Sequence, residues 1–248
     1  MNQLLVALDV DTIESARALA DRLRDVAGGY KIGSRLFTSE GPRFVEELAS
    51  RGDRVFLDLK FHDIPHTVAG AVAAATRLGV WMVNVHAAGG ADMMRAAKAA
   101  AADEAARRGV SAPLVIAVTL LTSLNQRGLD EVGFTESVPA QVGRLAALAQ
   151  SCGLDGVVAS PQEIELVRRR CGSQFAVVTP GIRGADDEKA DQSRTRTAVE
   201  ALAAGASYIV VGRPIIAAAD PRAAADRIVE NCSRLLASRP AISSPTIR

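Results

Sequence analysis

Short apolar runs alternate along this chain with longer segments that carry helical periodicity. The short runs have the length of buried strands, and the longer segments repeat apolar residues three or four positions apart, as amphipathic helices do. The pattern predicts strands at residues 4–10, 30–33, 55–60, 81–86, 114–119, 156–159, 175–179 and 208–211. It predicts helices at residues 13–26, 42–50, 64–78, 90–108, 139–152, 161–170 and 221–236, and one more that ends at residue 204.

Eight strand–helix alternations without a Pro/Gly/Ser-rich linker favour a closed parallel barrel over an open sheet. The length of 248 residues is typical of that architecture. A doubly wound sheet is the alternative, but no G-x-G-x-x-G motif follows an early strand. We therefore expect a single (β/α)8 TIM barrel over residues 1–238 and a polar tail over residues 239–248.

The composition narrows the range of partners. Hydrophobic residues make up 48% and charged residues 23% of the chain, which supports a large packed core, and the net charge of +1 gives no general attraction to nucleic acid or membranes. Three widely spaced cysteines, Cys152, Cys171 and Cys232, fit a reducing compartment better than a zinc site. Neither a signal peptide nor an apolar run long enough to span a bilayer is recognisable, so we expect a cytoplasmic protein with a small-molecule ligand.

The stretch from residue 55 to residue 65 carries the most informative charges. Side chains alternate across a strand, so Asp58 and Lys60 should point to the same side, and Asp63 follows within one turn. Pro65 is suited to the first turn of the next helix. Such charges are costly to desolvate unless they pair with each other or with a ligand. A structural ion-pair network is the alternative to a functional site.

In a closed barrel of this kind, active sites lie at the carboxyl ends of the strands. Polar or conformationally special residues stand near those ends: Asp9, Lys31, Asp58, Lys60, His86, Thr119, Thr179 and Gly212. The first three strands supply two acids and two bases to one rim. One such pair could be structural, but four charges together favour a functional site.

The ends of strands seven and eight predict an anion site. The first reads Thr-Pro-Gly-Ile-Arg over residues 179–183 and the second reads Val-Gly-Arg-Pro over residues 211–214. Loops at these positions often bind phosphate on this fold. Gly212 would let the backbone approach an anion closely, and Arg213 offers a bidentate fork. For Gly212 and Arg213, a simple turn with a surface arginine is the alternative to an anion site. The long polar segment 181–196 is typical of a mobile lid over a ligand.

Taken together, these segments resemble the motifs of the orotidine 5′-phosphate decarboxylase family. The matching segments are Asp-Leu-Lys-Phe-His-Asp-Ile-Pro at 58–65, Val-Thr-Leu-Leu-Thr-Ser at 118–123, the two strand-end motifs and Asp-Gln at 191–192. They occur in the family's order, and the resemblance extends from residue 4 to about residue 236. It implies a cofactor-free, metal-free carboxy-lyase that converts orotidine 5′-monophosphate (OMP) into uridine 5′-monophosphate (UMP) and CO2 in de novo pyrimidine synthesis.

Carried over residue by residue, the resemblance implies a catalytic group of Lys60, Asp58, Asp63 and Lys31, with Lys60 as the proton donor. It also implies a homodimer in which Asp63 and Thr67 reach the partner's site. The other implied substrate-binding residues are Asp9, Leu59, Phe61, His62, Ile64, Pro65, His66, Thr122, Ser123, Pro180, Arg183, Gln192, Gly212 and Arg213.

Within that set the resemblance implies a division of labour. Asp9 and Lys31 would bind the ribose, and Thr122 and Ser123 would face the pyrimidine. The phosphate would be held by Gln192, Gly212 and Arg213, and Arg183 would belong to the lid. Two positions depart from the usual pattern, His66 in place of asparagine and Ala198 in place of proline, and neither is a matched catalytic residue.

Two other functions share some of these features. A magnesium-dependent sugar-phosphate decarboxylase or aldolase on the same barrel also carries a D-x-K-x-x-D motif, and its carboxylates would hold the metal ion. A non-catalytic sensor of phosphoribosyl ligands would use only the anion site. A metal requirement would indicate the first, and binding without turnover the second.

Overall fold

A computed structural model describes residues 1–182 and 196–237, and these form a closed barrel of eight parallel strands surrounded by helices. The strands are β1 Leu4–Ala7, β2 Gly29–Gly33, β3 Val55–Phe61, β4 Met82–His86, β5 Leu114–Val118, β6 Gly156–Val158, β7 Ala176–Thr179 and β8 Tyr208–Val211. Each strand pairs with the next in sequence, and β8 closes the barrel against β1. The predicted (β/α)8 barrel is confirmed.

Helices follow the strands around the outside of the barrel. They are α1 Ile13–Leu23, α2 Ser34–Glu40, α3 Arg43–Ser50, α4 Pro65–Arg77, α5 Gly90–Arg108, α6 Gln126–Glu131, α7 Val138–Ser151, α8 Ile164–Cys171, α9 Ala198–Ala203, α10 Arg213–Ile216 and α11 Pro221–Ala237. A short 3-10 turn, Ala87–Gly89, precedes α5. In the described part of the chain, no helix has the length and apolar character that a membrane span needs.

The core has two layers that follow from strand alternation. Side chains on one face of the strands fill the barrel interior, and those on the other face pack under the helices. The interior cluster consists of Leu5, Ala7, Phe56, Met82, Ile116, Val118, Val158, Val178 and Val210. The outer layer is larger and includes Leu57 and Val83, the strand neighbours of Phe56 and Met82. The polar residues of the candidate site therefore lie on the same inward faces of the strands, above the apolar side chains that fill the barrel interior.

Several predicted boundaries were wrong. β1 ends at Ala7, so Asp9 lies in the loop after the strand, and α1 ends at Leu23 rather than at residue 26. Residues 161–163 form a turn instead of opening a helix, because the Ser160 hydroxyl donates to the Glu163 carboxylate and α8 begins only at Ile164. The sequence reading missed the short helices α2 and α10. The expected polar tail, residues 239–248, lies outside the described residues.

Candidate active site

A cavity of about 470 Å³ opens at the carboxyl end of the barrel. Its floor is apolar and comes from the inward-facing residues of the strands, whereas its walls carry charged side chains and the loops after β7 and β8. The lining residues named by the sequence analysis are Asp9, Lys31, Asp58, Lys60, Thr122, Pro180, Gly212 and Arg213. The fold therefore brings together residues that lie more than two hundred positions apart in the chain, Asp9 and Arg213 among them.

The four charged side chains form a continuous chain of alternating sign. The Lys31 ammonium lies 3.0 Å from Oδ1 of Asp9 and 3.5 Å from Oδ2 of Asp58. The Lys60 ammonium lies 2.7 Å from Oδ1 of Asp58. Because each lysine has an acid beside it, none of these four charges is withdrawn from water without an opposite charge nearby. We call Asp9, Lys31, Asp58 and Lys60 the charged chain.

Asp58 is the central member and is largely withdrawn from water, with 12% of its side chain exposed. Burial alone would raise the pKa of its carboxyl group, but the ammonium groups of Lys31 and Lys60 and hydrogen bonds from Lys60 and Asn84 outweigh it. The pKa therefore lies below its ordinary value, and Asp58 is ionised at neutral pH. Lys60 is more open, with 38% of its side chain exposed.

Lys60 occupies an unusual backbone conformation. Its φ of 53° is the sole positive value among the non-glycine residues that the structure describes. It lies where the pairing of β3 with β4 changes register, since Leu57 pairs with Val83 and Phe61 with Val85. The extra residues of β3 form a bulge, and bulges often redirect a side chain beside an active site.

The loops after β7 and β8 bring the residues predicted to bind phosphate to the same cavity. Gly212 and Arg213 both line the cavity, as does Pro180. A Cβ at Gly212 would make ordinary van der Waals contacts, 3.5 Å from the Cβ of Ala7 and 3.9 Å from Asp9 Oδ2. Arg183 and Gln192 lie outside the described residues, as does most of the segment interpreted as a lid.

Glycine at position 33 keeps room for the charged chain. A Cβ there would lie 3.0 Å from the Lys31 ammonium and 3.3 Å from Asp9 Oδ1. Such contacts are tighter than ordinary van der Waals packing, so an alanine would push the two partners apart. The backbone of Gly33 itself is extended and needs no glycine, so the requirement comes from the neighbouring side chains.

Several predicted substrate-binding residues do not line this cavity. Leu59 and Phe61 pack against the outer core layer. Residues 62–67 form an exposed stretch, in which His62, Asp63, Ile64 and Pro65 border a shallow depression shared with Ala88 and Gly89. His66 and Thr67 are also exposed, and Ser123 lies outside the cavity lining.

Asp63 does not join the charged chain of its own subunit. Its Oδ1 accepts a hydrogen bond from the backbone N–H of Ile64 at 2.6 Å, and the side chain is exposed at the rim. Within one chain the alternating contacts run through Asp9, Lys31, Asp58 and Lys60. The resemblance assigns Asp63 to the partner's site, which a single chain does not test.

Two histidines stand beside Lys60. The rings of His62 and His86 stack with centroids 5.2 Å apart, and the buried Nδ1 of His86 has no hydrogen-bond partner among the described residues. Burial lowers the pKa of His86, and the charges of His62 and Lys60 lower it further. This ring is therefore neutral at neutral pH. The stacked, neutral ring of His86 suits a scaffold role at the rim of the barrel.

Sequence reasoning missed two residues near the site. Asn84 is fully buried on β4 and contacts both Asp58 and Lys60. Arg35 lines the cavity mouth and pairs with Asp11. The available signal for Asn84 was a polar residue on the inward face of an apolar strand, between Met82 and His86. For Arg35 the sequence offered no comparable signal, because the short helix that carries it, α2, was not predicted.

The arrangement suits electrostatic and proton-transfer chemistry. An ammonium group at the cavity wall can stabilise negative charge that develops beside it and can deliver a proton. In the described parts of the chain, no cluster of three or more His, Cys, Asp or Glu side chains could hold a metal ion. The acids of the charged chain are occupied by lysines.

Comparison with known proteins gives a consistent result. The model of the orotidine 5′-phosphate decarboxylase / HUMPS family matches residues 2–228. An orotidine 5′-phosphate decarboxylase of Moorella thermoacetica is 54% identical over 228 residues, which are 92% of this chain and 90% of the relative. One from Paramagnetospirillum magneticum is 51% identical over 228 residues, covering 92% and 97%. The crystal structure of orotidine 5′-phosphate decarboxylase from Lactobacillus acidophilus superposes with a TM-score of 0.82 at 37% identity, covering 92% of this chain and 98% of that chain.

Proposed function

The chain belongs to the orotidine 5′-phosphate decarboxylase family, and we propose that its charged chain performs the reaction of that family with Lys60 as the proton donor. The reaction converts OMP into UMP and CO2 in pyrimidine biosynthesis. The observation that carries the assignment of residues is the unbroken sequence of contacts from Asp9 through Lys31 and Asp58 to Lys60 at the wall of the cavity.

Decarboxylation creates an electrostatic problem. When the bond from C6 of the pyrimidine to the carboxylate breaks, the electron pair stays on C6, and no adjacent carbonyl delocalises it well. The Lys60 ammonium stabilises this developing charge and then transfers a proton to C6, which yields UMP. Lys60 is left neutral and regains a proton from solvent. Its exposed side chain allows that return.

Asp58 has two effects on this step. It holds the Lys60 ammonium through a contact of 2.7 Å, and its ionised carboxylate lies where a substrate carboxylate would approach the same lysine. That like-charge contact is relieved when CO2 leaves. Lys31 lies 3.5 Å from the other oxygen of Asp58 and limits the cost of keeping that carboxylate charged.

One charge pair cannot supply a large rate enhancement. At ~4 Å and an effective dielectric constant of ~20, it contributes about 4 kcal/mol. Binding energy from the phosphate, which is remote from the reacting carbon, supplies more by fixing the pyrimidine against Lys60. Gly212 and Arg213 provide the described part of that phosphate site, and Arg183 and Gln192 are proposed to complete it.

The active form is a homodimer in which Asp63 and Thr67 reach the partner's site. Support comes from the exposure of both side chains at the barrel rim and from the absence of Asp63 from the contacts of its own charged chain. We place the enzyme in the cytoplasm. The three free cysteines, each buried without a disulfide, fit a reducing compartment.

The test is a metal-free assay of OMP decarboxylation, followed by the loss of orotate-type ultraviolet absorbance. Protein treated with EDTA should convert OMP to UMP at the rate of untreated protein. An OMP-decarboxylating activity that disappears with EDTA and returns with Mg2+ would contradict the metal-free mechanism. Binding of OMP without turnover would indicate a sensor.

A further inference from the structure

Asn84 is a fully buried polar residue that the proposed reaction does not yet use. It lies on β4 and faces the barrel interior, where Met82 below it belongs to the apolar floor. Burying an amide without hydrogen-bond partners is costly, so its contacts determine what this residue does. Asn84 is not among the residues that line the cavity, so it acts on a substrate only through its neighbours.

The amide of Asn84 connects the two ends of the Asp58–Lys60 pair. Its Oδ1 accepts the backbone N–H of Lys60 at 2.8 Å, and its Nδ2 donates to Oδ1 of Asp58 at 2.7 Å. The orientation of the amide follows from these partners, because a backbone N–H can only donate and an ionised carboxylate can only accept. Oδ1 of Asp58 also accepts from the Lys60 ammonium, so the amide and the ammonium converge on one oxygen.

The backbone of Lys60 needs such a partner. The left-handed conformation costs a non-glycine residue on the order of 1–2 kcal/mol and persists only where its surroundings impose it. The bulge removes the regular pairing of β3 with β4 between Leu57 and Phe61, and Asn84 is the β4 residue opposite that gap. Its side-chain oxygen replaces the ladder acceptor that the bulge takes away from the N–H of Lys60.

We propose that Asn84 is a positioning residue, which fixes the bulged backbone of Lys60 and the carboxylate of Asp58 in the geometry that proton transfer to substrate requires. This inference rests on the proposed function of Lys60. Removing Asn84 should therefore reduce kcat, because the ammonium loses its fixed place, while UMP binding at Gly212 and Arg213 is retained. A merely structural role would lower stability and binding together.

Asn84→Asp is the most informative variant because it is nearly isosteric. Its carboxyl group can still accept the N–H of Lys60, but when ionised it opposes Oδ1 of Asp58 and cannot donate. When protonated, its O–H can donate to Asp58 as the amide did. Burial and the like charge of Asp58 both favour the protonated form, so its pKa is raised above that of an ordinary aspartate.

The experiment measures kcat at saturating OMP between pH 5 and 8, per site counted by UMP titration. Asn84→Asp should be about 10–100-fold slower than wild type at pH 8 and should recover toward wild type as the pH falls. Asn84→Leu, which loses both hydrogen bonds, should be slow at every pH. Both should bind UMP within about threefold of wild type. Asn125→Asp is the matched control, since aspartate serves equally well at this exposed helix N-cap, and it should follow the wild-type profile.

The outcomes separate the possibilities. An Asn84→Asp profile parallel to wild type at all pH values would overturn the proposal, as would UMP affinity that falls in proportion to kcat. If Asn84→Leu does not fold, the pH profile of Asn84→Asp alone decides. A wild-type protein that fails to decarboxylate OMP would refute the proposed function and would be recognised before any variant is compared.

Discussion

Each residue of the charged chain has an oppositely charged neighbour within 3.5 Å. Asp58 receives the Lys60 ammonium and the Asn84 amide on one oxygen and faces the Lys31 ammonium with the other. The pKa of Asp58 is lower in the folded protein than in the unfolded chain, where it is about 4. The contribution of Asp58 to the stability of the fold is therefore fully present above about pH 4, and it is lost as the pH falls through the lower pKa of the folded state. Asp58 therefore stays ionised over the physiological range.

Arg213 lines the cavity and is proposed to bind the phosphate of the ligand, far from the reacting carbon. Arg213→Ala removes a charge-assisted phosphate contact, and the loss of such a hydrogen bond costs about 1.5–3 kcal/mol. UMP should therefore bind about 10–150-fold more weakly by calorimetry, whereas uridine, which has no phosphate, should bind equally to variant and wild type.

Arg169→Ala is the matched control, since that arginine is exposed on α8 and pairs only loosely with Glu165, at 3.9 Å. It should leave UMP affinity unchanged. Unaltered UMP binding by Arg213→Ala would show that the phosphate lies elsewhere.

Among the strands and helices, the hydrophobic pattern of the sequence predicted those features that depend on neighbouring residues in the chain alone. The alternation of Phe56, Asp58 and Lys60 correctly places their side chains toward the barrel interior, and Pro65 does open α4. The bulge in β3 was not predictable in this way, because it arises from pairing with β4, about 25 residues away. The left-handed backbone of Lys60 and the role of Asn84 follow from that bulge, so both were missed.

Short helices were missed for a related reason. α2 and α10 have seven and four residues, too few for helical periodicity to be distinct from a loop. α8 begins late because a side-chain contact between Ser160 and Glu163 stabilises a turn where sequence alone suggested a helix start. Local side-chain hydrogen bonds compete with helix formation in this manner.

A further prediction concerns the start of helix α9. Thr197 and Glu200 form a reciprocal capping box, in which each side chain accepts the other's backbone N–H. Thr197→Ala should destabilise the protein by about 1 kcal/mol and lower the melting temperature by about 2–4 °C, measured by calorimetry. Thr135→Ala, in an exposed loop, is the matched control and should melt with wild type. Equal melting of the two variants would mean that the box contributes nothing measurable.

At the scale of the whole molecule, eight short apolar runs and their intervening helices were sufficient to predict the closed barrel. Closure brings the ends of β1, β2 and β3 together with the loops after β7 and β8 around one cavity. The proposed completion of that cavity by a second copy depends on complementary surfaces, which no local sequence pattern encodes. The exposed stretch 62–67 is where the proposed dimer should contribute.

Mixing two inactive variants tests that shared site. If Asp63 acts in the partner's site, a heterodimer of Lys60→Ala and Asp63→Ala subunits carries both lesions in one site and neither in the other. Random exchange makes about half of the dimers mixed, each with one intact site of two, so about a quarter of wild-type activity should return. Each variant exchanged with itself is the control. No recovery in a sample where mass spectrometry finds heterodimers would place Asp63 in its own subunit's site.

The central claim, that Lys60 stabilises the carbanion and donates its proton, is tested most directly by the kcat of Lys60→Ala on OMP. The variant should be purified from a host without its own enzyme of this kind, and its UMP affinity measured alongside. Removing a charge contribution of about 4 kcal/mol predicts a loss of roughly 10³-fold or more in kcat, with UMP binding retained because the phosphate contacts remain. A Lys60→Ala protein that binds UMP and keeps kcat within tenfold of wild type would contradict the assignment.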